Sequence, residues 1–442
     1  MDFYAFNLAG FAVVNAFLLY RYYKRGAKSS DEQYEEERTS EDSEVVPCLQ
    51  EREITKFFID YFPAYAFAVA ADWIQGPHIY AIYKYDKQLP ERLVAALYAA
   101  GFVSGAASAS FVGRLADRFG RRMTCLIYGL MYIITCFAML SDNLVILFFG
   151  RLAGGVATTI LFSIFDVWMV AEYHSRGLSN SSLSLSTVFS YAAIMSPIIA
   201  IAMGVAGDGL VQIFGSRIWP FMGGVLCSLA SIIWIYKRWD ENYGSKASHN
   251  SSLKDALKSI TSDSRIMAVL VATTCFESSM YLFVFFWSAA LNNARVAAID
   301  SQGKAEELPF GLIFACFMCA MMAGSCLFNL WRPSFQGAAL VLMCALAMAS
   351  LGLSSASMLA MEKFVFYAFV AVEASIGLYF PAINLLKSEV ISDDIRGSTY
   401  SLMRLPLNLF VVITHSLDEE GKFFSEMKYS YPALPCFGIF HA

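Results

Sequence analysis

Charged residues are scarce in this chain. Lys, Arg, Asp and Glu make up 16% of its 442 residues, whereas about 25% is usual for a soluble domain. Hydrophobic residues reach 57%, and the mean hydropathy is +0.52. A soluble core could not hide this much apolar surface, so we expect lipid to surround most of the chain.

Motifs that mark catalysis or cofactor binding are also lacking. No phosphate-binding glycine loop with a following Lys-Ser/Thr occurs, which argues against ATP-driven transport. Neither G-x-S-x-G nor H-E-x-x-H occurs, so we predict no enzyme and no cofactor. The 10 cysteines are scattered, and the C-x-x-C of Cys316 and Cys319 has no second pair at zinc spacing. We therefore expect no metal site, and basic patches suited to nucleic acid are absent outside the predicted inner loops.

Long apolar runs are what the chain has instead. A run of about 20 residues can cross a bilayer as a helix. Twelve such runs lie at 4–20, 57–82, 92–112, 123–141, 144–171, 183–207, 218–236, 266–290, 310–330, 337–359, 364–386 and 398–415. Basic residues concentrate in alternate loops, which places the N-terminus outside and residues 21–56 inside. The predicted fold is all-α and polytopic.

These runs arrange themselves as two bundles. The expected regions are an N-terminal transmembrane helix (1–27), an acidic cytoplasmic linker (28–56), a six-helix bundle (57–237), a connector (238–264), a five-helix bundle (265–415) and an atypical tail (416–442). The linker is expected to be disordered, and helical spacing from Leu253 to Ile260 predicts a short connector helix. The tail is too polar for a normal last span, so we expect a missing last helix, as in a truncated product.

One charged segment, "GRLADRFGRR" at 113–122, interrupts the first bundle. Its two glycines permit a tight reversal, its aspartate can meet a helix N-terminus or a basic partner, and its arginines hold the loop on the inner side. The predicted gating residues are Gly113, Asp117, Arg118, Gly120, Arg121 and Arg122. The pattern is the loop signature of the major facilitator superfamily.

Further motifs narrow this resemblance. They are "AADWIQGPHIYAIY" (70–83), "GRLAGG" (150–155), "LFSIFDVWMVAEYHSRG" (161–177), "RWDENYG" (238–244), "FES" (276–278), "GLYFPAINLLKSEVI" (377–391) and "RLP" (404–406). Together they resemble the molybdate-anion transporter family, which also tends to carry an extra N-terminal helix. The resemblance covers roughly 54–415 and implies uptake of the molybdate oxyanion by a multi-pass protein, which we expect to be a monomer in the plasma membrane.

Ionisable residues inside spans are functional candidates, because they are costly in lipid. A dianion such as molybdate needs cations or dense N–H donors, which favours Arg404 and Arg151, although Arg151 could instead pair structurally. Asp72, Asp166, Glu277 and Glu373 suit either proton coupling or ion pairing. The predicted lining residues are Gln75, Asn384, Trp168 and Tyr80.

Two other functions stay open at this point. The same fold could carry another small anion or an organic solute. The atypical tail also leaves open a membrane protein that does not transport. The residues alone indicate only a polytopic solute carrier.

Overall fold

The computed structural model of this chain describes residues 3–37, 45–181, 183, 185–243, 253–298, 308–331, 334–359 and 361–391, together with four single positions beyond them (Thr399, Met403, Pro406 and Phe410). These residues form helices, turns and loops, and none of them forms a strand. Of the connector predicted at 238–264, residues 244–252 lie outside the described part, and the short helix expected from Leu253 to Ile260 is present at Leu253–Ser262.

The N-terminal helix and the first half hold ten helices. They are α1 (Phe3–Glu37), α2 (Val45–Gln75), α3 (Ile79–Ala81), α4 (Glu91–Ala109), α5 (Val112–Phe119), α6 (Arg121–Ala138), α7 (Leu144–Leu161), α8 (Ile164–Ser175), α9 (Leu185–Phe214) and α10 (Trp219–Arg238). In the second half the described helices are α11 (Leu253–Ser262), α12 (Ser264–Ala298), α13 (Phe310–Trp331), α14 (Phe335–Met358) and α15 (Glu362–Val390).

Nine stretches in the described part of the chain are long and apolar enough to cross a membrane, from Phe3–Tyr22 to Glu362–Val390. Helices α2 and α6 are not among them, yet both pack against α10 inside the first bundle. The span predicted at 398–415 and the expected missing last helix fall almost wholly outside the described residues. Both therefore stay predictions.

The two halves repeat the same helix pairings. Helix α7 packs on α4 and α6, and α15 packs on α13 and α14 in the same way. A side chain on Gly155 of α7 would collide with the backbone of Gly101, and one on Gly377 of α15 would collide with the backbone of Met321. Arg151 and Glu373 lie four residues before these two glycines, so they occupy matching positions in the two halves.

The extra helix α1 belongs to the second bundle by its contacts. It packs along α13, where the Asn15 side chain donates to the Cys319 carbonyl at 2.9 Å. Near its start the Tyr367 hydroxyl donates to Asn7 at 2.8 Å, and the Tyr4 hydroxyl donates to Glu362. The first helix thus begins at the same end of the bundle as α15.

Three sequence expectations need correction. Residues 28–37 and 45–56, expected to be disordered, are helical, because their Glu, Gln, Lys and Arg residues are good helix formers. The run 57–82 is not one helix, since α2 ends before the proline of Gly76–His78, a 3₁₀ turn, and a π-helical turn follows at Ile82–Asp86. The run 144–171 breaks at Ser163, whose hydroxyl bonds back to the Thr159 carbonyl at 2.5 Å.

Candidate substrate site

The bundle ends are named here by the predicted topology. Loops 87–90, 139–143 and 215–218 lie at the outer end, and 110–111, 176–181 and 239–243 lie at the inner end. Helices α4 and α13 run from the outer to the inner end, whereas α6, α9 and α12 run the opposite way.

Arg151 lies on α7 in the outer half of the first bundle. Its guanidinium carbon is 5.3 Å from the centre of the Tyr98 ring on α4, and its Nε donates to the Leu97 carbonyl at 3.4 Å. A Cβ on Gly101 would lie 2.9 Å from its Nη2, so the glycine makes room for the cation. The ion pairs among the described residues do not include Arg151, which leaves its charge without a carboxylate partner there.

A hydrogen-bonded chain of polar side chains lies close to this cation. Gln75 Nε2 donates to the Tyr132 hydroxyl at 2.6 Å, and that hydroxyl donates to Asp72 at 3.0 Å. The charge of Arg151 acts on the Asp72 carboxylate, while Gln75 Oε1 is buried with no partner among the described residues. The structure therefore brings together three predicted residues and adds Tyr132, which sequence reasoning missed.

Tyr80 lies at a contact between the bundles, nearer the outer end. Its hydroxyl donates to Glu91 at 2.8 Å, and its ring meets Phe285 of α12 at 5.8 Å between centroids. Phe285 also meets the Tyr98 ring at 4.8 Å. We call Tyr80, Tyr98 and Phe285 the aromatic gate, because these rings join the first bundle to the second.

Asp208 joins the two bundles by hydrogen bonds. From α9 it accepts the backbone N–H groups of Gly311 at 2.9 Å and Leu312 at 2.8 Å, at the N-terminus of α13. A carboxylate is favoured there because the unpaired N–H groups and the helix dipole are positive. Sequence reasoning missed this residue, since the predicted span ended at residue 207; an acid just beyond an apolar run was the available signal.

Two predicted residues lie near the inner end. Trp168 is fully buried, stacks on Trp239 at 3.7 Å between centroids and donates to the Asp240 carbonyl, so its geometry indicates structural packing. Asp166 accepts from Tyr61 at 3.3 Å. It lines a cavity of about 390 Å³ together with Arg121.

The loop 113–122 is tied to the end of α10 in its own bundle. Glu241 accepts the backbone N–H groups of Arg122 at 2.8 Å and Met123 at 3.1 Å, which caps α6. Gly120 has φ +111°, and a side chain on it would collide with the Glu241 carboxylate. Glu241 lies in the "RWDENYG" motif that carried part of the resemblance, but its role was not predicted.

The charged loop residues themselves pair locally. Asp117 forms an ion pair with Arg121 at 2.8 Å, so in this structure Glu241, not Asp117, meets a helix N-terminus. Arg118 is exposed and lies over the Phe119 ring at 5.3 Å. Gly113 has open space around its Cα. These contacts do not reach the described part of the second bundle.

A second inner cluster braces α2 against α8. Arg176 pairs with Asp60 at 2.8 Å and with Glu172 at 2.8 Å. The side chains of these three residues are only 3–10% exposed, and the Trp239 indole donates to the Asp60 carbonyl. We call Asp60, Glu172 and Arg176 the inner brace.

The predicted residues of the second bundle do not form one cluster. Glu277 accepts from Tyr379 at 3.0 Å. Glu373 is 5% exposed, and no hydrogen bond or ion pair joins it to another described residue. Asn384 is exposed on α15, and Arg404 lies outside the described residues.

A family comparison accounts for this two-bundle fold. Residues 37–379 match the model of the family MFS_5, described as sugar transporters with 12 transmembrane spans. The chain belongs to this family. Members are multi-pass integral membrane proteins, in agreement with the apolar helices found here.

Individual proteins add detail to the family assignment. The molybdate-anion transporter of Xenopus tropicalis is 29% identical over 378 residues, which cover 83% of this chain and 80% of that protein. The molybdate-anion transporter of Danio rerio is 28% identical over 386 residues, covering 80% and 77%. Both relatives therefore match most of the length of this MFS_5 member.

Solved structures share the fold at low identity. The nucleoside transporter NupG has a TM-score of 0.59 at 14% identity, covering 86% of this chain and 98% of that one. A D-xylose–proton symporter has a TM-score of 0.59 at 12% identity, covering 86% and 95%. These similarities support the fold of this MFS_5 member. They do not identify its substrate, which has to be inferred from the candidate site.

Proposed function

We propose that this chain is a secondary transporter that takes up the molybdate oxyanion by alternating access. Relatives named molybdate-anion transporters match about four-fifths of the chain. The reaction is translocation without covalent change, so it requires neither catalysis nor a cofactor. We expect the protein to act as a monomer in the plasma membrane.

Arg151 is the observation that carries the proposal. A cation inside a membrane span is expensive unless it meets a carboxylate or a ligand, and no described carboxylate pairs with Arg151. Its guanidinium can offer two parallel N–H donors to an oxyanion. Arg404 remains a second predicted cation for the dianion.

The acidic residues have a different proposed role. Asp72, Asp166 and Glu277 each accept a tyrosine hydroxyl, while Glu373 has no such partner among the described residues. A carboxylate repels a dianion, so these groups are proposed to carry protons or to pair with arginines. Among the predicted lining residues, Gln75 belongs to the hydrogen-bonded group of Asp72 and Tyr132, on which the charge of Arg151 acts.

The test is uptake of radiolabelled molybdate in an uptake-deficient cell. Wild-type chain is expected to take up molybdate, with sulfate as a weaker competitor and xylose or uridine as non-competitors. Arg151→Ala is expected to reduce uptake about thirtyfold or more, since losing one partner of a buried charge contact costs about 2–5 kcal/mol.

Arg92→Ala provides the matched control. Arg92 lies on α4, as Tyr98 does, but it is exposed, so its loss should leave uptake unchanged. Equal surface amounts of the variants separate transport from folding. Normal uptake by Arg151→Ala would remove Arg151 from the site, and competition by xylose in place of sulfate would favour an organic solute.

A further inference from the structure

Tyr83 has a buried hydroxyl that the described structure leaves without a partner. The residue is fully buried, and its hydroxyl makes no hydrogen bond to any described group. Two other buried tyrosines of the first bundle differ, because the hydroxyls of Tyr128 and Tyr132 donate to Ala68 and Asp72 at 2.8 and 3.0 Å. An unpaired buried hydroxyl is destabilising, so its presence calls for a reason.

The local backbone is unusual at the same position. Tyr83 belongs to the π-helical turn Ile82–Asp86, which lies between α3 and α4. Such turns are rare and occur often at functional sites, since the extra residue redirects the side chains. The "IYKYD" sequence contains neither glycine nor proline, so no simple helix breaker within the turn explains it.

Arg151 is the charged group whose field reaches this hydroxyl. Its guanidinium carbon lies 5.3 Å from the centre of the Tyr98 ring, and its charge acts electrostatically on both Tyr98 and Tyr83. Tyr98 lies between the cation and Phe285 of the second bundle. Tyr83 is therefore a buried residue within the field of the proposed anion contact, on the chain segment between Tyr80 and Tyr98 of the aromatic gate.

We propose that the Tyr83 hydroxyl is a second donor to the transported oxyanion, acting beside Arg151 when the aromatic gate opens. The inference depends on the proposed function for the class of substrate. A fully deprotonated oxyanion can only accept hydrogen bonds. The Tyr83 hydroxyl has no acceptor in the described structure, so it can donate its proton to such an anion. In the closed state the gate covers the hydroxyl, and opening gives the anion access, so binding removes the cost of the unpaired group.

The experiment compares Tyr83→Phe with Tyr128→Phe. Both lose one oxygen, but only Tyr128 loses a hydrogen bond visible in the structure. Tyr83→Phe is expected to raise the KM for molybdate uptake about tenfold, since hydrogen bonds to charged groups are among the stronger ones. Its melting temperature should not fall, because the lost hydroxyl was unpaired. Tyr128→Phe should show the reverse pattern, with a lower melting temperature and an unchanged KM.

A KM that stays within twofold of wild type in Tyr83→Phe overturns the inference. If that variant reaches the surface poorly, the molybdate-dependent rise in melting temperature of purified protein gives the same comparison, and an unchanged concentration dependence also overturns it.

Substrate assignment is tested separately. If wild type carries sulfate but not molybdate, and Tyr83→Phe raises the KM for sulfate, the molybdate proposal fails while the role of Tyr83 stands. If wild type carries xylose or uridine but neither anion, both proposals fail.

Discussion

The outer and inner ends of the molecule are held by different kinds of contact. At the outer end, Asp208 and the aromatic gate join one bundle to the other. At the inner end, the inner brace and the Glu241 cap join helices within the first bundle. These outer contacts must break for outward opening, while the inner charges can persist as the bundles rock.

The inner brace is where the largest loss of stability is expected. Arg176→Gln leaves the Glu172 carboxylate buried without its cation and leaves Asp60 with only the more distant Arg238, at 3.8 Å. Breaking a buried pair costs about 3–5 kcal/mol. The measurement is the melting temperature in detergent. Asp60→Asn combined with Arg176→Gln should recover part of the loss. A variant that retains full stability would show that these charges are solvated in the protein.

The outer contact is expected to control opening rather than overall stability. Asp208→Ala removes the cap of α13, and caps are worth about 0.5–2 kcal/mol, so opening should become about tenfold more frequent. Ser288→Cys on α12 is buried and reports opening through its labelling by an impermeant maleimide added outside. Faster labelling is expected with Asp208→Ala. The exposed Asp142 supplies the control, Asp142→Ala, and equal rates in all three backgrounds would contradict the comparison.

Arg118 is expected to show the smallest effect. It is exposed and forms no ion pair with a described residue, and surface substitutions of this kind change stability by about 0.5 kcal/mol or less. Arg118→Gln should leave both the melting temperature and Ser288→Cys labelling as in the parent. A clear change in labelling would mean that the loop meets the second bundle in another state, as the gating prediction from "GRLADRFGRR" requires.

Sequence patterns located most helices well and their breaks poorly. The runs 218–236 and 310–330 correspond closely to Trp219–Arg238 and Phe310–Trp331. A membrane span requires only a continuous apolar stretch of sufficient length, which is a local property of the sequence. The break at Ser163 was missed, since it depends on one hydroxyl bonding back to its own helix. The π-helical turn at Ile82–Asp86 was missed for a similar reason, because no composition signal marks an extra residue in a helix.

The candidate site was predicted only in part. Charge within a span singled out Arg151 and Asp72, since any ionisable group in lipid needs an explanation. Their surroundings come from Tyr98, Gly101 and Tyr132, which lie on other helices, so no spacing in the sequence joins them. Trp168 is a residue type that often lines cavities. Here it stacks on Trp239, and that contact forms only because the end of α10 packs beside α8.

Sequence alone determined that this protein is a bundle of membrane helices, because scarce charge and long apolar runs leave lipid as the only adequate solvent. It also identified the family through short local motifs. Only the tertiary structure decided which charges are paired, which contacts join the bundles, and that Arg151 lies against Tyr98 and Gly101 of another helix. Those outcomes depend on contacts between helices that are far apart in the chain. Side-chain pairs across such contacts produce no periodic pattern in the sequence.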